Sequence, residues 1–357
     1  MVAPPGALGT NRWIISRSVD LSLVIGSALA GYVYLLFYAV FHVPITLLWW
    51  FWSVGFDGTH IFATASRTFF DREARARNPR LLYGSLLFFF TIGPLMVLAG
   101  AVKYLAILVG VWAYYHVIRQ HYGFMVLYKV KCRDLRPLDN TLDRIFLGVM
   151  LIVPPFHRFF VHHPEELGLH TAFPRLEPFL WTIVAATLAV YLGRQWMRRR
   201  AGEPANVPKY LLFAAIMPLH WLTFAYMSWQ AAVPTVTIVH NLQYHAIVWF
   251  HNRNRYADSG EAAHGRIPAA VSRSLLVYVA VGLAFSLLYR IPGFELGKVS
   301  ELAFGFFCGF GLTHYYLDSR IWRVRHDPGL RAALRMDSPP RGAAEGSRKS
   351  LATDEHG

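Results

Sequence analysis

The sequence predicts an all-α, polytopic integral membrane protein, a helix bundle of about ten transmembrane helices with both termini cytoplasmic. Its 357 residues are 55% hydrophobic and only 16% charged, whereas an ordinary soluble domain carries roughly 25% charged residues. Ten apolar runs of about 20 residues, the length that a bilayer core requires, follow one another along the chain. The predicted spans are 19–43, 46–66, 82–101, 104–128, 145–162, 177–195, 210–229, 234–252, 271–291 and 298–319.

The segments between the spans are short. We expect a polar N-terminal tail over 1–18, one transmembrane domain over 19–326 and a basic, largely disordered C-terminal tail over 327–357. Such loops have no room for a nucleotide-binding domain or a fused electron carrier. The two cysteines, Cys132 and Cys308, lie far apart in the sequence and define neither a disulfide framework nor a zinc-binding Cys pair.

Basic residues test this topology independently of hydropathy. Of the 35 Lys and Arg residues, 29 fall in segments that share one side of the bilayer if the ten spans are correct. Five fall at the opposite boundaries, and Arg119 lies within a span. Because cytoplasmic loops carry the excess of Lys and Arg, this partition predicts cytoplasmic termini. It also explains the formal net charge of +14 without a nucleic-acid partner.

Four predicted spans, the second, fourth, eighth and tenth, carry histidine together with other polar side chains. Ionisable groups at membrane depth are costly and by default mark a functional site that faces the interior of a bundle. Two of these spans contain histidines five residues apart, and the other two contain a histidine three or four residues from an aspartate. The candidate metal ligands are Asp57, His60, His116, His121, His240, His245, His314 and Asp318.

The predicted topology places one histidine of each span at a similar depth. All four spans run from outside to inside, and His60, His121, His245 and His314 precede the next basic residue by six to eight positions. At a rise of 1.5 Å per residue, these imidazoles lie about 10 Å inside the cytoplasmic boundary. The shared depth favours a single site.

In an α-helix the His/Asp pairs and the His/His pairs have different geometries. Spacings of three and four residues place His and Asp on one helix face. A spacing of five separates the two rings by about 140°, so either a π-bulge draws each pair together or its two members serve different parts of a site. The polar residues between the paired histidines are candidate partners that orient the ligands. They are Arg119, Gln120, Gln243 and Tyr244.

The remaining histidines are interpreted as packing or surface residues, since a single His in a membrane helix is most often hydrogen-bonded to its neighbours. His162, His163 and His170 flank an outside loop and are interpreted as a solvated surface, with weak metal binding as the alternative. His251 lies about 16 Å along the helix axis from His240, too far to share an ion with it. The others are His42, His157, His220, His264, His326 and His356.

A site with many imidazoles, two carboxylates and no thiolate suits a first-row metal rather than an iron–sulfur cluster. Six to eight ligands exceed what one ion takes. The sequence therefore predicts two ions, or one ion with aspartates that orient the histidines. Iron is the expected metal, one or two ions per chain, with another first-row metal or haem as alternatives.

The order of these motifs resembles that of the Brp/Blh family of bacterial membrane β-carotene 15,15′-dioxygenases. His60 with Asp57, His116/His121, His240/His245 and His314 with Asp318 follow one another in a similar sequence over residues 50–320. In that family the aspartate of the first motif follows its histidine, the paired histidines are one residue closer, and the chain is smaller. More loosely, the clusters resemble the histidine motifs of membrane-bound desaturases and hydroxylases, although this chain has no adjacent His-His pair within a span.

The resemblance implies a membrane-bound oxygenase that uses non-haem iron on a carotenoid or a fatty acyl chain. Its reaction would be that of a dioxygenase, a hydroxylase or a desaturase. A proton- or metal-coupled transporter and a haem-binding electron-transfer protein are the alternatives from other classes. We expect the bilayer and a hydrophobic small molecule as partners, and a separate electron-donor protein if the reaction needs a reductant. The expected location is the bacterial inner membrane, with the site near the cytoplasmic face.

Overall fold

The computed structural model describes residues 13–256 and 264–336. Helix accounts for 83% of the described residues, which contain no strand. Most of the predicted N-terminal tail and of the predicted C-terminal tail lies outside these ranges. The all-α prediction is therefore confirmed for the part of the chain that the structure describes.

The helices succeed one another with short connections. The first half contains α1 (Arg17–Ala39), α2 (Ile45–Trp52), α3 (Gly58–Arg67), α4 (Arg72–Arg77), α5 (Pro79–Leu98), α6 (Val102–Lys131) and α7 (Pro137–Phe156). The second half contains α8 (Leu176–Arg200), α9 (Val207–Tyr226), α10 (Trp229–Tyr256), α11 (Arg266–Arg273), α12 (Leu275–Val299), α13 (Glu301–Ile321) and α14 (Pro328–Ala333).

Within the part of the chain that the structure describes, six helices are long and apolar enough to cross a membrane: α1, α5, α7 with its extension to His162, α8, α9 and α12. Only 17% of the most apolar stretch of α8, and 22% of that of α5 and of α12, is buried within the protein. Apolar helices that keep most of their surface uncovered are suited to contact with lipid. These six helices indicate a membrane protein.

Four further predicted spans coincide with α2–α3, α6, α10 and α13, which are more polar. These are the helices that carry the histidine motifs. Every residue of α3 is buried, and α10 has a long buried face. Helix α3 packs against α10 and α13, and α6 packs against the same two helices. The four polar helices therefore form a closed ring inside the bundle.

Glycine permits the closest of the helix contacts. Helices α5 and α13 cross at Gly93 and Gly305, where a Cβ atom on Gly93 would lie 2.1 Å from the carbonyl oxygen of Gly305. Gly58, the first residue of α3, meets Ser286 of α12 in the same way, since a Cβ atom there would lie 1.9 Å from the Ser286 hydroxyl. Small residues allow helix backbones in a membrane to approach each other. These two crossings hold α3 and α13 in the ring.

Three π-helical segments interrupt the α-helical geometry: Asp20–Ile25 within α1, Ser53–Asp57 between α2 and α3, and His157–His162 after α7. A π-helical turn shifts the hydrogen-bond register of the backbone and occurs frequently at functional sites. At the second segment Ser286 donates a hydrogen bond of 2.8 Å to the carbonyl oxygen of Val54. Helix α12 thus stabilises the turn that leads into the first histidine motif.

Candidate metal centre

Four buried histidines converge from the four polar helices. His60 comes from α3, His116 from α6, His240 from α10 and His314 from α13. One ring nitrogen of each lies within 4.8 Å of those of the others. All four residues are at most 8% exposed. The ring of helices therefore brings one imidazole per helix to a common point, and this group can hold a metal ion.

The rings face one another through their Nε2 atoms. The Nε2 of His60 lies 2.7 Å from the Nε2 of His314 and 3.3 Å from the Nε2 of His240. The centroid of the His116 ring lies 4.9 Å from those of both His240 and His314. A first-row ion with metal–nitrogen bonds of 2.0–2.1 Å separates its ligand atoms by about 3.3 Å in a tetrahedron and about 4 Å across the ion. The separation between His60 and His240 has the tetrahedral length, and that between His60 and His314 is shorter, so these two rings would move apart to hold an ion.

The hydrogen bonds at the far side of two rings fix where their protons lie. His60 Nδ1 lies 2.8 Å from the carbonyl oxygen of Asp57, which can only accept, so Nδ1 carries the proton. Thr64 donates to Asp318 Oδ1 at 2.9 Å and lies 2.7 Å from His314 Nδ1. Because the Thr64 proton is directed to the carboxylate, His314 Nδ1 must donate to the threonine oxygen. Both rings then present an unprotonated Nε2 to the centre.

In this tautomeric state two bare nitrogens 2.7 Å apart repel each other unless a cation lies beside them, so these residues fit a metal. The buried Nε2 of His116 supports the same conclusion, because it has no hydrogen-bond partner among the described residues. Unpaired buried polar atoms are rare and call for an explanation such as an ion. Neutral imidazole is a good ligand for iron, zinc, copper and nickel, so the donors alone do not select the metal.

The two aspartates take different places. Asp318 accepts from Thr64 and, at 2.8 Å, from Tyr244, and its Oδ2 lies 3.8 Å from His116 Nε2. It therefore stands behind the histidines as the carboxylate that orients them, a common arrangement in metal sites. Asp57 pairs with Arg290, and its carboxylate comes no closer than 3.8 Å to His60 Nδ1. Its backbone carbonyl, rather than its side chain, contacts the ligand.

The other member of each histidine pair lies away from this group. His245 Nε2 contacts Thr59 at 3.0 Å, and its Nδ1 contacts the Tyr278 hydroxyl at 3.0 Å, so both ring nitrogens have partners. The His121 ring lies 5.8 Å from that of His220 on α9. Helices α6 and α10 are α-helical at these pairs, and the rings diverge as a five-residue spacing in an α-helix requires.

The shared depth predicted His121 and His245 as ligands, whereas the structure brings His116 and His240 to the group. In that prediction the first basic residue after each motif marks the edge of the membrane. Lys129 does not mark such an edge, because it is only 1% exposed and pairs with the buried Asp143. Helix α6 therefore continues beyond the point at which the sequence suggested an interface.

Of the four residues predicted to orient the ligands, one lies at the histidine group and three contact other parts of the protein. Tyr244 lies at the site, in contact with Thr64 at 2.7 Å as well as with Asp318. Gln120 donates to the backbone oxygen of His240 at 2.8 Å, and Gln243 donates to the carbonyl of Val24 at 2.7 Å. Both amides hold helices in place rather than contacting an imidazole of the group. Arg119 is exposed and lies over the Tyr122 ring at 5.1 Å.

The sequence analysis missed Thr64 and Arg290. Thr64 follows His60 by four residues, on the same face of a helix, so the spacing that paired His314 with Asp318 was also present here. Arg290 was counted among the basic residues of an outside boundary, and only the packing of α12 against the π-helical segment brings it to Asp57. No local pattern signals that contact.

An apolar cavity of about 290 Å³ adjoins the histidine group. It lies between α3, α5, α12 and α13, and is partly open. Its polar lining consists of Thr64, Thr313 and His314, and the rest is aliphatic and aromatic, including Phe90, Phe285 and Phe310. The cavity thus reaches one ligand of the group and the threonine behind it.

No protein-family model, curated protein or solved structure matches the chain.

Proposed function

We propose that the protein is an integral membrane, metal-dependent oxygenase that acts on an apolar substrate from the lipid phase. The observation that carries the proposal is the contact between the buried four-histidine group and the apolar cavity, through His314 and Thr64. A cavity lined by phenylalanines and aliphatic side chains binds a hydrocarbon chain or ring rather than an ion. Isoprenoids such as carotenoids, and fatty acyl chains, are substrates of this kind.

In this proposal His60, His116, His240 and His314 hold the metal, and iron is the metal that best suits a reaction with dioxygen. Iron bound in such a set of imidazoles supplies the activation of dioxygen. Asp318 orients His314 through Thr64 and balances part of the cationic charge, and Tyr244 fixes the position of that carboxylate. The phenylalanines of the cavity exclude water and position the substrate beside His314.

The cavity argues against the transporter alternative. A path for protons or metal ions needs polar groups along its length, whereas the lining of this cavity becomes apolar immediately beyond His314, Thr64 and Thr313. The compactness of the group argues against haem. A haem held by two of these histidines would place its porphyrin ring where the other two imidazoles lie.

We extend the proposal to the topology. The four polar helices cross the membrane inside a shell of the six apolar ones, which makes ten spans with both termini cytoplasmic. The bacterial inner membrane is the proposed location, with the site in the half of the bundle closer to the cytoplasm. A dioxygenase reaction needs no net reductant, and a hydroxylase or desaturase reaction would draw electrons from a separate protein.

The test combines metal analysis with oxygen consumption in detergent-purified protein. We expect one to two equivalents of a first-row metal, iron foremost, and oxygen consumption that depends on an added carotenoid or fatty acyl substrate. His60→Ala, His116→Ala, His240→Ala and His314→Ala should each lose metal and activity while the folded yield is kept. Folded wild-type protein free of metal would overturn the proposal.

A cavity variant separates the metal site from the substrate site. Ala65→Leu adds bulk to the cavity wall and should lower turnover roughly tenfold or more by displacing the substrate, with the metal content unchanged. Ala106→Leu makes the same change on an exposed face of α6 and should leave turnover as it is. Equal turnover in the two variants would show that the cavity does not bind the substrate.

A further inference from the structure

A second group of ligand-type side chains lies at the far end of α7. His157 and His162 belong to the π-helical segment that extends this helix, and Glu177 lies in the first turn of α8. One ligand atom from each lies within 4.8 Å of the others. The sequence analysis interpreted His157 as a packing residue and His162 as part of a solvated surface, so this group was not predicted.

The three separations are those of ligands around one ion. His157 Nε2 lies 3.3 Å from His162 Nε2 and 3.3 Å from Glu177 Oε1, and His162 Nε2 lies 3.9 Å from the same carboxylate oxygen. Tetrahedral zinc with bonds of 2.0–2.2 Å to nitrogen and oxygen separates its ligand atoms by about 3.3–3.5 Å. Two edges have this length, and the third closes with a small movement of an exposed side chain.

The backbone makes this arrangement possible. Histidines five residues apart occur at 116/121, 240/245 and 157/162, and in an α-helix such rings diverge by about 140°. Only at 157/162 is the backbone π-helical, as the hydrogen bond of 2.7 Å from His163 N to the carbonyl oxygen of Arg158 shows. This register stacks residues five apart, so both imidazoles reach Glu177. A π-bulge was one of the two predicted arrangements for 116/121 and 240/245, but the π-helical turn occurs at 157/162.

Exposure and charge suit an ion that exchanges with the medium. The side chains of His162 and Glu177 are 47% and 41% exposed, and that of His157 is 21% exposed beneath them. The carboxylate supplies the negative charge, and Trp181 packs against the His157 ring at 5.5 Å between the centroids. Three protein ligands leave one coordination position for water, as in zinc sites of the two-histidine, one-glutamate type.

We propose that His157, His162 and Glu177 form a second divalent-metal site, which takes Zn²⁺ and is independent of the four-histidine group. The ion joins the end of α7 to the start of α8 across the loop 163–175. It thereby stabilises this hairpin on the membrane face opposite to the α6–α7 connection. Since the ion binds the folded protein, stability should rise with the concentration of free Zn²⁺.

The test is a titration of the full-length, detergent-purified protein with Zn²⁺, followed by calorimetry and by thermal unfolding. His157→Ala, His162→Ala and Glu177→Gln should each weaken one class of Zn²⁺ site by more than the roughly 10–100-fold that loss of an outer partner causes. The same variants should lose the Zn²⁺-dependent rise in Tm. His163→Ala is the matched control, because His163 is an exposed neighbour that contacts Glu165 instead.

The His116→Ala background separates the two metal sites. There the Zn²⁺ site of His157, His162 and Glu177 should remain, with unchanged affinity, after the four-histidine site has been disabled. A Zn²⁺ titration that is the same in His162→Ala and Glu177→Gln as in the wild type would overturn the proposal. Equal weakening in His163→Ala would do so too, since it would indicate adventitious surface binding.

Discussion

At the scale of single residues, the partners of a histidine determine whether it can bind a metal. His60 on α3 and His245 on α10 lie on neighbouring helices. His60 contacts the backbone carbonyl of Asp57, in the π-helical segment before α3, and His245 contacts Thr59 of α3. His245 is held at both nitrogens, by Thr59 and by Tyr278. The Nδ1 of His60 is held by the carbonyl oxygen of Asp57, whereas its Nε2 meets only the imidazoles of His240 and His314 at the centre. Burial distinguishes them as well, since His60 is buried and His245 is only partly buried.

Thr64 offers the sharpest residue-level prediction. Its hydroxyl links His314 to Asp318, and Thr64→Val keeps the shape of the side chain while removing that link. We expect metal affinity to fall roughly 10–100-fold, as for other losses of a partner behind a ligand, and Thr64→Ser to restore it. Competition with a chelator, monitored by elemental analysis, measures both. If valine and serine behave alike, Thr64 only fills space.

At the scale of helices, a buried network of charges holds the ends of α6, α7 and α9 together. Asp134, in the connection between α6 and α7, accepts from Arg198 at 2.9 Å and from Lys209 at 3.2 Å. Lys209 also contacts Asp143 on α7 at 3.0 Å. Breaking a buried ion pair by removing one partner is strongly destabilising, because the other charge is left without compensation. This network fixes the end of α6, the helix that carries His116.

The pKa of Asp134 makes the network sensitive to acid. Burial raises this pKa, but the charges of Lys209, Lys129 and Arg198 outweigh burial and lower it from 3.8 to about 2. A lowered folded-state pKa contributes stability that is fully present above the unfolded value and is lost as the pH falls through the folded value. The difference in Tm between wild type and Asp134→Asn should therefore be constant above pH 4 and shrink toward pH 2. A difference that persists unchanged at the lowest pH would contradict this assignment.

Local patterns predicted the helices better than they predicted the site. Each of the ten apolar runs coincides with a helix or a pair of helices, because the length of an apolar run depends on the sequence alone. His60, His116, His240 and His314 were all among the candidates, yet His121, His245 and Asp57 were equally eligible. The choice depends on helix rotation, on the buried Lys129 and on Arg290, which comes from a distant helix. None of these is encoded within a few residues of a motif.

At the scale of the whole molecule, polarity increases from the outside of the bundle to its centre. The six apolar helices present much of their surface outward, and the ring of α3, α6, α10 and α13 encloses the histidines. Such an order is expected when the surrounding solvent is lipid, since a polar helix is tolerated only where protein covers its polar groups. The four ligand-bearing helices are thus less apolar than the other six because they carry the polar side chains of the site.

The predicted topology of ten spans determines on which side of the membrane each proposed metal site lies. Because 29 of the 35 basic residues fall on one side in this arrangement, reporter fusions after Arg80, Arg136, Arg200 and Arg255 and at the C-terminus should all report the cytoplasm. A fusion near Gly168, in the loop next to His162, should report the opposite side. Zn²⁺ added to sealed, right-side-out vesicles should then reach the site of His157, His162 and Glu177 without crossing the membrane. Two or more reversed reporters would refute the ten-span arrangement, and one of the four polar helices would then have to lie along the membrane surface instead of crossing it.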